Sequence, residues 1–413
     1  MDYKGIRSFL MERDMTMVRY DREGYDLFLK KTGFTLHVPF VHIAGSNGKS
    51  LVAHYLENIF LAAGYRVGAF IKPLFGESKD MIRLNGKSIK EVDFARIFGK
   101  FENDFKRFDL SRFEIETIIA FEFWNEEKVD IAIVECGMGG EKDATNIPNA
   151  SPLLSIVTSL SLEHTRFLGD SLPLIARQKA GIMKAGRPLL VSNRIPSSAK
   201  KVFYEEAAKR RCDVYEEKEV EAASFLSPYY RFSYPPFKDL AILSPAYYEV
   251  LDACLSLEAT RILRLVLPTS EKDIRKALLL SPLPCRFERI GNVYLDGAHN
   301  PEAMEMMLKS AKDVFEGKNV HVLFAAYKDK DVNKELSLLK TAFKDVTLTT
   351  FSSPRARGEK DYPQGKDAFP FVSSYELALN SLLIEHPSDP VLVTGSLEFA
   401  YRVRSYLLEV FHD

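Results

Sequence analysis

Hydrophobic and polar positions along the chain follow two periods in alternation. Pro39 to Ala44 is a short apolar run leading into a glycine-rich turn. Beyond the turn Leu51, Val52, Tyr55, Leu56, Ile59 and Phe60 recur at helical spacing, and Gly64 supplies a C-terminal stop. Tyr65 to Ile71 predicts the next strand, so the stretch from Val38 predicts a βαβ unit with parallel strands and a right-handed crossover. The alternation continues with a helix over Arg112 to Glu127, the buried strands VDIAIVE and LLSIVT, a helix ending before Gly181, and the strand RPLLVS. This order predicts a doubly wound α/β domain. From about 200 to 280 the pattern blurs into helical and irregular segments around the aromatic run SPYYRFSYPPF. After Pro282-Leu283-Pro284 a fresh series of strands, NVYLDGAHNP, HVLFAA, DVTLTTF and PVLVTGS, predicts a second, smaller Rossmann-like α/β domain of roughly 130 residues. The expected division is 1–283 and 284–413, with the Pro-Leu-Pro break as a hinge.

Bulk properties narrow the class. A chain of 413 residues fits two or three domains, each with its own core. Lys+Arg 56 against Asp+Glu 57 gives a net charge of -1, so no overall field favours nucleic acid or an anionic membrane. Cys136, Cys212, Cys254 and Cys285 are far apart and form no CxxC pair, which argues against a zinc site and a disulfide framework. The start mixes acids with bases, and no apolar run approaches the ~18 residues of a membrane span. A cytoplasmic protein that meets neither membrane nor nucleic acid is expected.

The turn after the first strand carries the most specific chemistry. Gly45, Ser46, Asn47, Gly48, Lys49 and Ser50 stand between strand and helix, where backbone N–H groups and a helix N-terminus cradle phosphate oxygens. Lys49 would reach the terminal phosphates and Ser50 a Mg²⁺ ion. The eight-residue motif needs glycine where Ile43 stands, so this is the shortened GxxGK form. Its bland alternative is a surface turn with a solvated lysine. Glu135 ends the strand VDIAIVE at the sheet edge where ligands bind, and either meets a divalent cation or is capped by the glycine N–H groups that follow. His164, after LLSIVT, shares that edge, although a lone histidine is more often structural. Lys179 reads from spacing alone as a helix-end cation.

The ordered segments VHIAGSNGKS, FEIETIIAFEFW, VECGMGGEKDATNI, TSLSLEHTRFLG, IARQKAGIMKAGRP, CRFERI, LDGAHNPEAM, AAYKDKDV and LVTGSL, from about residue 38 to about 405, closely resemble the folylpolyglutamate synthase/dihydrofolate synthase family of the Mur ligase superfamily. The resemblance implies a P-loop ATPase domain followed by a smaller Rossmann-like domain. It implies ATP-dependent addition of L-glutamate to a folate carboxylate through an acyl phosphate, or to dihydropteroate as a second activity. It further implies that Lys49 and the loop hold ATP, that Ser50, Glu135 and His164 ligand Mg²⁺, and that Lys179, once carbamylated, helps place a second ion. Arg286, Asp296, His299 and Asn300 are implied in the nucleotide and glutamate contacts of the second domain, with closure of the two domains excluding water. Because the site needs only one chain, a monomer is expected.

Four segments depart from the family pattern. Gly48-Lys49-Ser50-Leu51 replaces GKGS and looks more like cell-wall Mur ligases. Ile71-Lys72-Pro73-Leu74-Phe75 retains little of a TSPHL loop, SPAYYEVLDA replaces HQxxNA, and Glu163 stands for the usual Asp. Two alternatives follow: a Mur-type amino-acid ligase on another carboxylate, and a non-catalytic nucleotide-binding module. The first lacks a dedicated uridine-nucleotide domain; the second is disfavoured by the full set of candidate residues.

Overall fold

A computed structural model describes residues 1–16, 21–72, 77–280, 283–364 and 369–412. Pro282 of the expected hinge, and Pro73, Leu74 and Phe75 of the loop after the second strand, lie outside the described residues. The chain forms two compact units. The first comprises Met1–Glu221, Tyr234–Phe237 and Asp252–Leu278; the second comprises Ala222–Ser233, Lys238–Leu251 and Leu279–Asp413.

The first unit begins with α1 (Tyr3–Thr16) and α2 (Glu23–Thr32). It continues through β1 (Phe40–Ala44), α3 (Lys49–Ala62), β2 (Val67–Phe70), β3 (Ile82–Leu84), β4 (Lys87–Ser88), α4 (Glu91–Arg107) and α5 (Arg112–Glu127). Next come β5 (Ile131–Glu135), β6 (Leu154–Val157), α6 (Thr165–Leu168), α7 (Leu172–Ala180), β7 (Leu189–Val191), α8 (Ser197–Arg210) and β8 (Val214–Glu216). The eight strands form one sheet in the order β4-β3-β2-β5-β1-β6-β7-β8. Pairing is parallel from β2 to β8 and antiparallel only at β3 and β4. Strands β1, β2, β5, β6 and β7 are buried along their whole length, which requires helices on both faces. One face is covered by a phenylalanine-rich cluster that includes Phe28, Phe94, Phe98, Phe105 and Phe121; the other packs Leu56 and Phe60 of α3 against Leu255 and Ala259. Local signals start the helices where the sequence predicts them. At α5 the Ser111 side chain accepts from the Glu114 N–H while Glu114 reaches back to the Ser111 N–H, a complete capping box.

The blurred stretch resolves into β9 (Ala222–Leu226), β10 (Tyr229–Tyr234), β11 (Phe237–Ile242), α9 (Tyr247–Leu263) and α10 (Glu271–Leu278). The three strands form a small sheet, β11-β10-β9, in which Tyr230, Phe232 and Tyr234 are buried at every second position. Strand β10 is short and begins with two adjacent tyrosines, Tyr229 exposed and Tyr230 buried, so its period of two is inconspicuous in the sequence.

The second sheet is built from β12 (Arg286–Ile290), β13 (Val293–Asp296), β14 (His321–Phe324), β15 (Asp345–Thr349), β16 (Phe371–Val372) and β17 (Val391–Thr394). Its helices are α11 (Pro301–Val314), α12 (Asn333–Ala342), α13 (Tyr375–Glu385) and α14 (Leu397–His412). The order is β12-β13-β17-β14-β15-β16, parallel except for β12, as a Rossmann-like α/β unit requires. No helix among the described residues is long and apolar enough to cross a membrane.

Candidate functional site

Parallel strands bring their carboxyl ends to one edge of each sheet, and the candidate residues gather there. In the first unit the loop from Gly45 to Gly48 joins β1 to α3. Gly45 has φ 155°, and a Cβ there would stand 1.9 Å from Thr158 Oγ1. Gly48 has φ 84°, and its Cβ would stand 2.6 Å from Asp252 Oδ1. Neither position admits a side chain, because the backbone lies directly against its neighbours. The loop is pinned by Ser46 N–H to Ser159 O (3.0 Å), Asn47 N–H to Ser159 Oγ (2.9 Å) and Thr158 Oγ1–H to Asn47 O (2.5 Å). Lys49 donates its ammonium to Gly45 O at 2.9 Å and Ser46 O at 3.1 Å, so the positive charge arches back over the loop.

The register of β1 and β5 pairs Ile43 with Glu135, which places this carboxylate beside the loop. Ser50 Oγ lies 2.9 Å from both carboxylate oxygens, and the Lys72 N–H donates at 3.1 Å. Glu135 is only 4% exposed. Burial raises its pKa, against the opposing pull of the Lys49 cation, the Ser50 hydroxyl and the Lys72 N–H.

Lys179, near the end of α7, is 1% exposed and donates to Glu163 Oε1 at 2.9 Å. Spacing alone gave a helix-end cation; the fold turns it into a buried partner in an ion pair. Burial lowers the Lys179 pKa, Glu163 opposes that, and the nearby Lys49 charge lowers it further. At Glu163 burial pulls the other way, but the Lys179 and Lys49 cations outweigh it and hold the carboxyl at about 2. His164 caps α6 in the left-handed conformation (φ 47°), unusual for a residue with a Cβ, and its charge also favours ionised Glu163. Ser50 and Glu135 are thus joined directly, His164 stands next to Glu163, and Lys49 acts electrostatically on both carboxylates.

The segment Gly137–Asn146 acts as a brace. Buried Asp143 accepts from Met138 N–H at 2.8 Å, Thr145 N–H at 3.0 Å and Thr145 Oγ1–H at 2.5 Å. Thr145 Oγ1 also lies 2.8 Å from His42 Nε2, and burial drives the His42 pKa down to about 3. Asn146 Nδ2 donates to Glu141 O and Gly181 O, both at 3.0 Å, fixing the loop to the turn after α7 and so the position of Lys179. Arg22 and Tyr25 donate to carbonyls of Asp143, Asn146 and Ala144 from outside.

In the second unit Arg286 and Asp296 are register partners on β12 and β13. The register shifts between Arg286 and Glu288, and Cys285 and Phe287 both take positive φ (56° and 51°), so a bulge aims Arg286. Its Nε is buried without a hydrogen-bond partner, a feature that an anionic ligand would satisfy. Asp296 is 2% exposed and accepts from Tyr248 Oη at 2.6 Å, Ala298 N–H at 2.8 Å and Phe287 N–H at 3.1 Å. Burial raises the Asp296 pKa; Tyr248 and Arg286 restrain it. His299 Nδ1 lies 2.9 Å from Gly297 O, and the Asn300 side-chain oxygen accepts from Ala303 N–H at 2.9 Å as the cap of α11.

A family model described as "Mur ligase, glutamate ligase domain" matches residues 285–397, from just before Arg286 to the start of α14. Over 388 residues the chain is 27% identical to the folylpolyglutamate synthase of Lacticaseibacillus casei, covering 89% of this chain and 90% of that protein. It is likewise 27% identical, over 398 residues, to the dihydrofolate synthase/folylpolyglutamate synthase of Bacillus subtilis, with 89% and 90% covered. The solved structure of Escherichia coli FolC in complex with ADP, without folate substrate, superimposes with a TM-score of 0.86 at 26% identity, covering 100% of this chain and 98% of that one. Over nearly its whole length the chain is thus similar to folylpolyglutamate synthases and dihydrofolate synthase/folylpolyglutamate synthases. The likeness spans both units, so the Mur ligase resemblance read from motifs extends to the fold.

Sequence reasoning missed several contributors to the site. Tyr248 lies in the segment that lacks HQxxNA, and nothing in its spacing singles it out. Thr158, Ser159 and Asp252 support the loop from strands and helices remote in sequence. Glu163 was noted only as a substitution, although it is the partner of Lys179.

Proposed function

We infer that the chain is an ATP-dependent amide-forming ligase that adds L-glutamate to the glutamyl carboxylate of a reduced folate. The observation that carries this reading is the placement of Ser50 and Glu135 beside a closely packed phosphate loop, with the buried Lys179–Glu163 pair at the same sheet edge. A folate carboxylate oxygen attacks the γ-phosphorus of ATP and ADP leaves; the glutamate amine then attacks the acyl carbon, loses a proton and expels phosphate. Lys49 and the loop N–H groups hold the phosphates. Arg286, Asp296, His299 and Asn300 serve the nucleotide and the incoming glutamate, a role supported by the buried, unpartnered Nε of Arg286.

Ser50, Glu135 and His164 would hold Mg²⁺. A hydroxyl, a buried carboxylate whose charge is costly, and substrate phosphates are the hard donors that Mg²⁺ prefers. When bound, the ion neutralises charge on the phosphoryl group. Lys179 fits the carbamylation implied by the family resemblance, since burial favours the neutral amine that attacks CO₂, forming an N–C bond and releasing a proton. In ¹³C-bicarbonate the wild type would show a carbamate resonance that Lys179→Gln lacks.

Dihydrofolate synthesis from dihydropteroate is the second reading, favoured by the double name of the Bacillus subtilis relative. The test is phosphate release by purified protein with ATP, Mg²⁺, glutamate and one of three acceptors: tetrahydrofolate, dihydropteroate or a UDP-muramoyl substrate. Turnover with either pteridine is expected. Silence with both, or turnover with the muramoyl compound alone, would overturn the folate assignment.

A further inference from the structure

The candidate residues Asp296, His299 and Asn300 occupy the carboxyl edge of the second sheet; its amino edge carries a separate set of ligating side chains. His321 opens β14 and Asp345 opens β15, and the two are register partners. On the other side His321 pairs with Val391, the first residue of β17, so Asp389 comes to the same edge. His386 closes α13. His321 is 2% exposed; its Nδ1 makes a short hydrogen bond with Asp345 Oδ2, and its Nε2 lies 3.3 Å from Asp389 Oδ2. Its ring stacks on His386 with centroids 3.8 Å apart and planes 18° from parallel. Asn319 Nδ2 stands 3.4 Å from both His321 Nε2 and Asp389 Oδ2. One ligand atom each from His321, Asp345 and His386 lies within 4.8 Å of the others.

A neutral imidazole has one N–H and one lone pair, yet His321 meets a carboxylate at each nitrogen. A cation at one nitrogen suits this arrangement, with the other nitrogen donating to the remaining carboxylate. A single divalent ion can take one nitrogen of each imidazole and the Asp345 carboxylate, leaving the other nitrogen of His321 to donate to Asp389.

We propose that His321, Asp345 and His386 bind a divalent transition metal of the zinc class, with Asp389 accepting from the other nitrogen of His321. The ion acts as a clasp joining the starts of β14 and β15 to the turn before β17. Two imidazoles and a carboxylate suit Zn²⁺ and its neighbours better than Mg²⁺, whose shell is mostly oxygen. A tetrahedral Zn²⁺ site places donors ~3.4 Å apart, so the observed spacing closes with a shift of about an ångström. His386, only half-buried, makes that shift by turning its ring out of the stack. Each imidazole then gives one nitrogen to the ion and keeps the other for a carboxylate or water.

The test uses the full chain, stripped with a chelator and titrated with ZnCl₂ in competition with a chromophoric chelator, without nucleotide. Wild type is expected to take up one equivalent of Zn²⁺ that raises its Tm, and Co²⁺ is expected to give the visible bands of a low-coordinate site. His386→Ala and Asp345→Asn, both altering partly exposed residues, are expected to weaken Zn²⁺ at least about tenfold and to abolish the Tm rise. Circular dichroism establishes that the variants are folded, and two variants keep the test decisive if one of them is not. Absence of Zn²⁺ binding by the wild type, or unchanged binding by a folded variant, would overturn the proposal; unchanged binding would mean that the ion sits elsewhere, such as at Glu135.

Discussion

Lys179 and Glu163 form a 2.9 Å ion pair whose lysine is almost wholly withdrawn from water. The pair is asymmetric, because burial weakens the lysine as a base while two cations make Glu163 a stronger acid. Removing one partner of a buried pair costs about 3–5 kcal/mol, since the other charge is left without compensation. Glu163→Ala is therefore expected to lower the urea midpoint at neutral pH, and Glu163→Ala combined with Lys179→Met to recover part of the loss. The pH dependence follows from the depressed carboxyl. Its contribution is fully present above the ordinary value of 4.5 and is lost as pH falls towards about 2, so wild type and Glu163→Ala should converge in acid. A gap that stays constant down to pH 3 would refute this account.

Lys49 touches two loop carbonyls and acts on Glu135, Glu163 and Lys179 through its charge. Lys49→Ala should lower kcat for phosphate release by about 10²–10³-fold, on the order of 3 kcal/mol, as for other preorganised electrostatic donors. The fold should survive, because Lys49 is half-buried and, among the described residues, its ammonium donates to Gly45 O and Ser46 O of its own loop. Steady-state kinetics beside a thermal melt separates the two effects, and unchanged ATP turnover would exclude Lys49 from the chemistry.

Tyr248 is the strongest restraint on the buried Asp296 carboxylate. Tyr248→Phe removes a hydrogen bond to a charged group and should cost about 1.5–3 kcal/mol of stability. It should also raise the Asp296 pKa further and move the acid limb of the pH–rate profile upward. A stability loss with no shift in that profile would confine Tyr248 to a structural role.

Glu217 illustrates the opposite sign. It is buried, accepts from Ser192 Oγ at 2.7 Å and from Asn193 N–H at 3.3 Å, and burial lifts its pKa to about 7 against the pull of Arg194. Its folded pKa exceeds the ordinary 4.5, so its contribution is fully present below that value and declines as pH rises through about 7. Glu217→Gln, which keeps the hydrogen-bonding shape without the charge, should raise Tm at pH 8 and change it little at pH 5. Equal effects at both values would contradict a protonated Glu217.

Much of the candidate site in the first unit was legible in the chain. Gly45 and Gly48 announce a loop that excludes side chains, and the strand before it and helix after it follow from periodicity. Glu135 could be placed at a carboxyl edge because a buried strand that stops at an acid has few other readings. The pairing of Ser50 with Glu135 could not, since it depends on β5 lying beside β1 although β2 follows β1 in sequence. The small sheet β9–β11 was hidden for a different reason. Its strands are short and only half-buried, so the alternation of Arg231 and Ser233 with Phe232 and Tyr234 in β10 is too brief to stand out against the neighbouring prolines and aromatics.

The sequence by itself determined the local elements and the glycine-rich loop, because each is written in contiguous residues whose spacing reflects helix, strand or turn geometry. Tertiary structure alone decided which charges meet. Lys179 becomes a buried partner of Glu163, Asp296 acquires Tyr248, and His321 is enclosed by Asp345, His386 and Asp389. These relationships depend on strand order, register and desolvation, and a carboxylate or lysine carries no local mark of the water it will lose on folding.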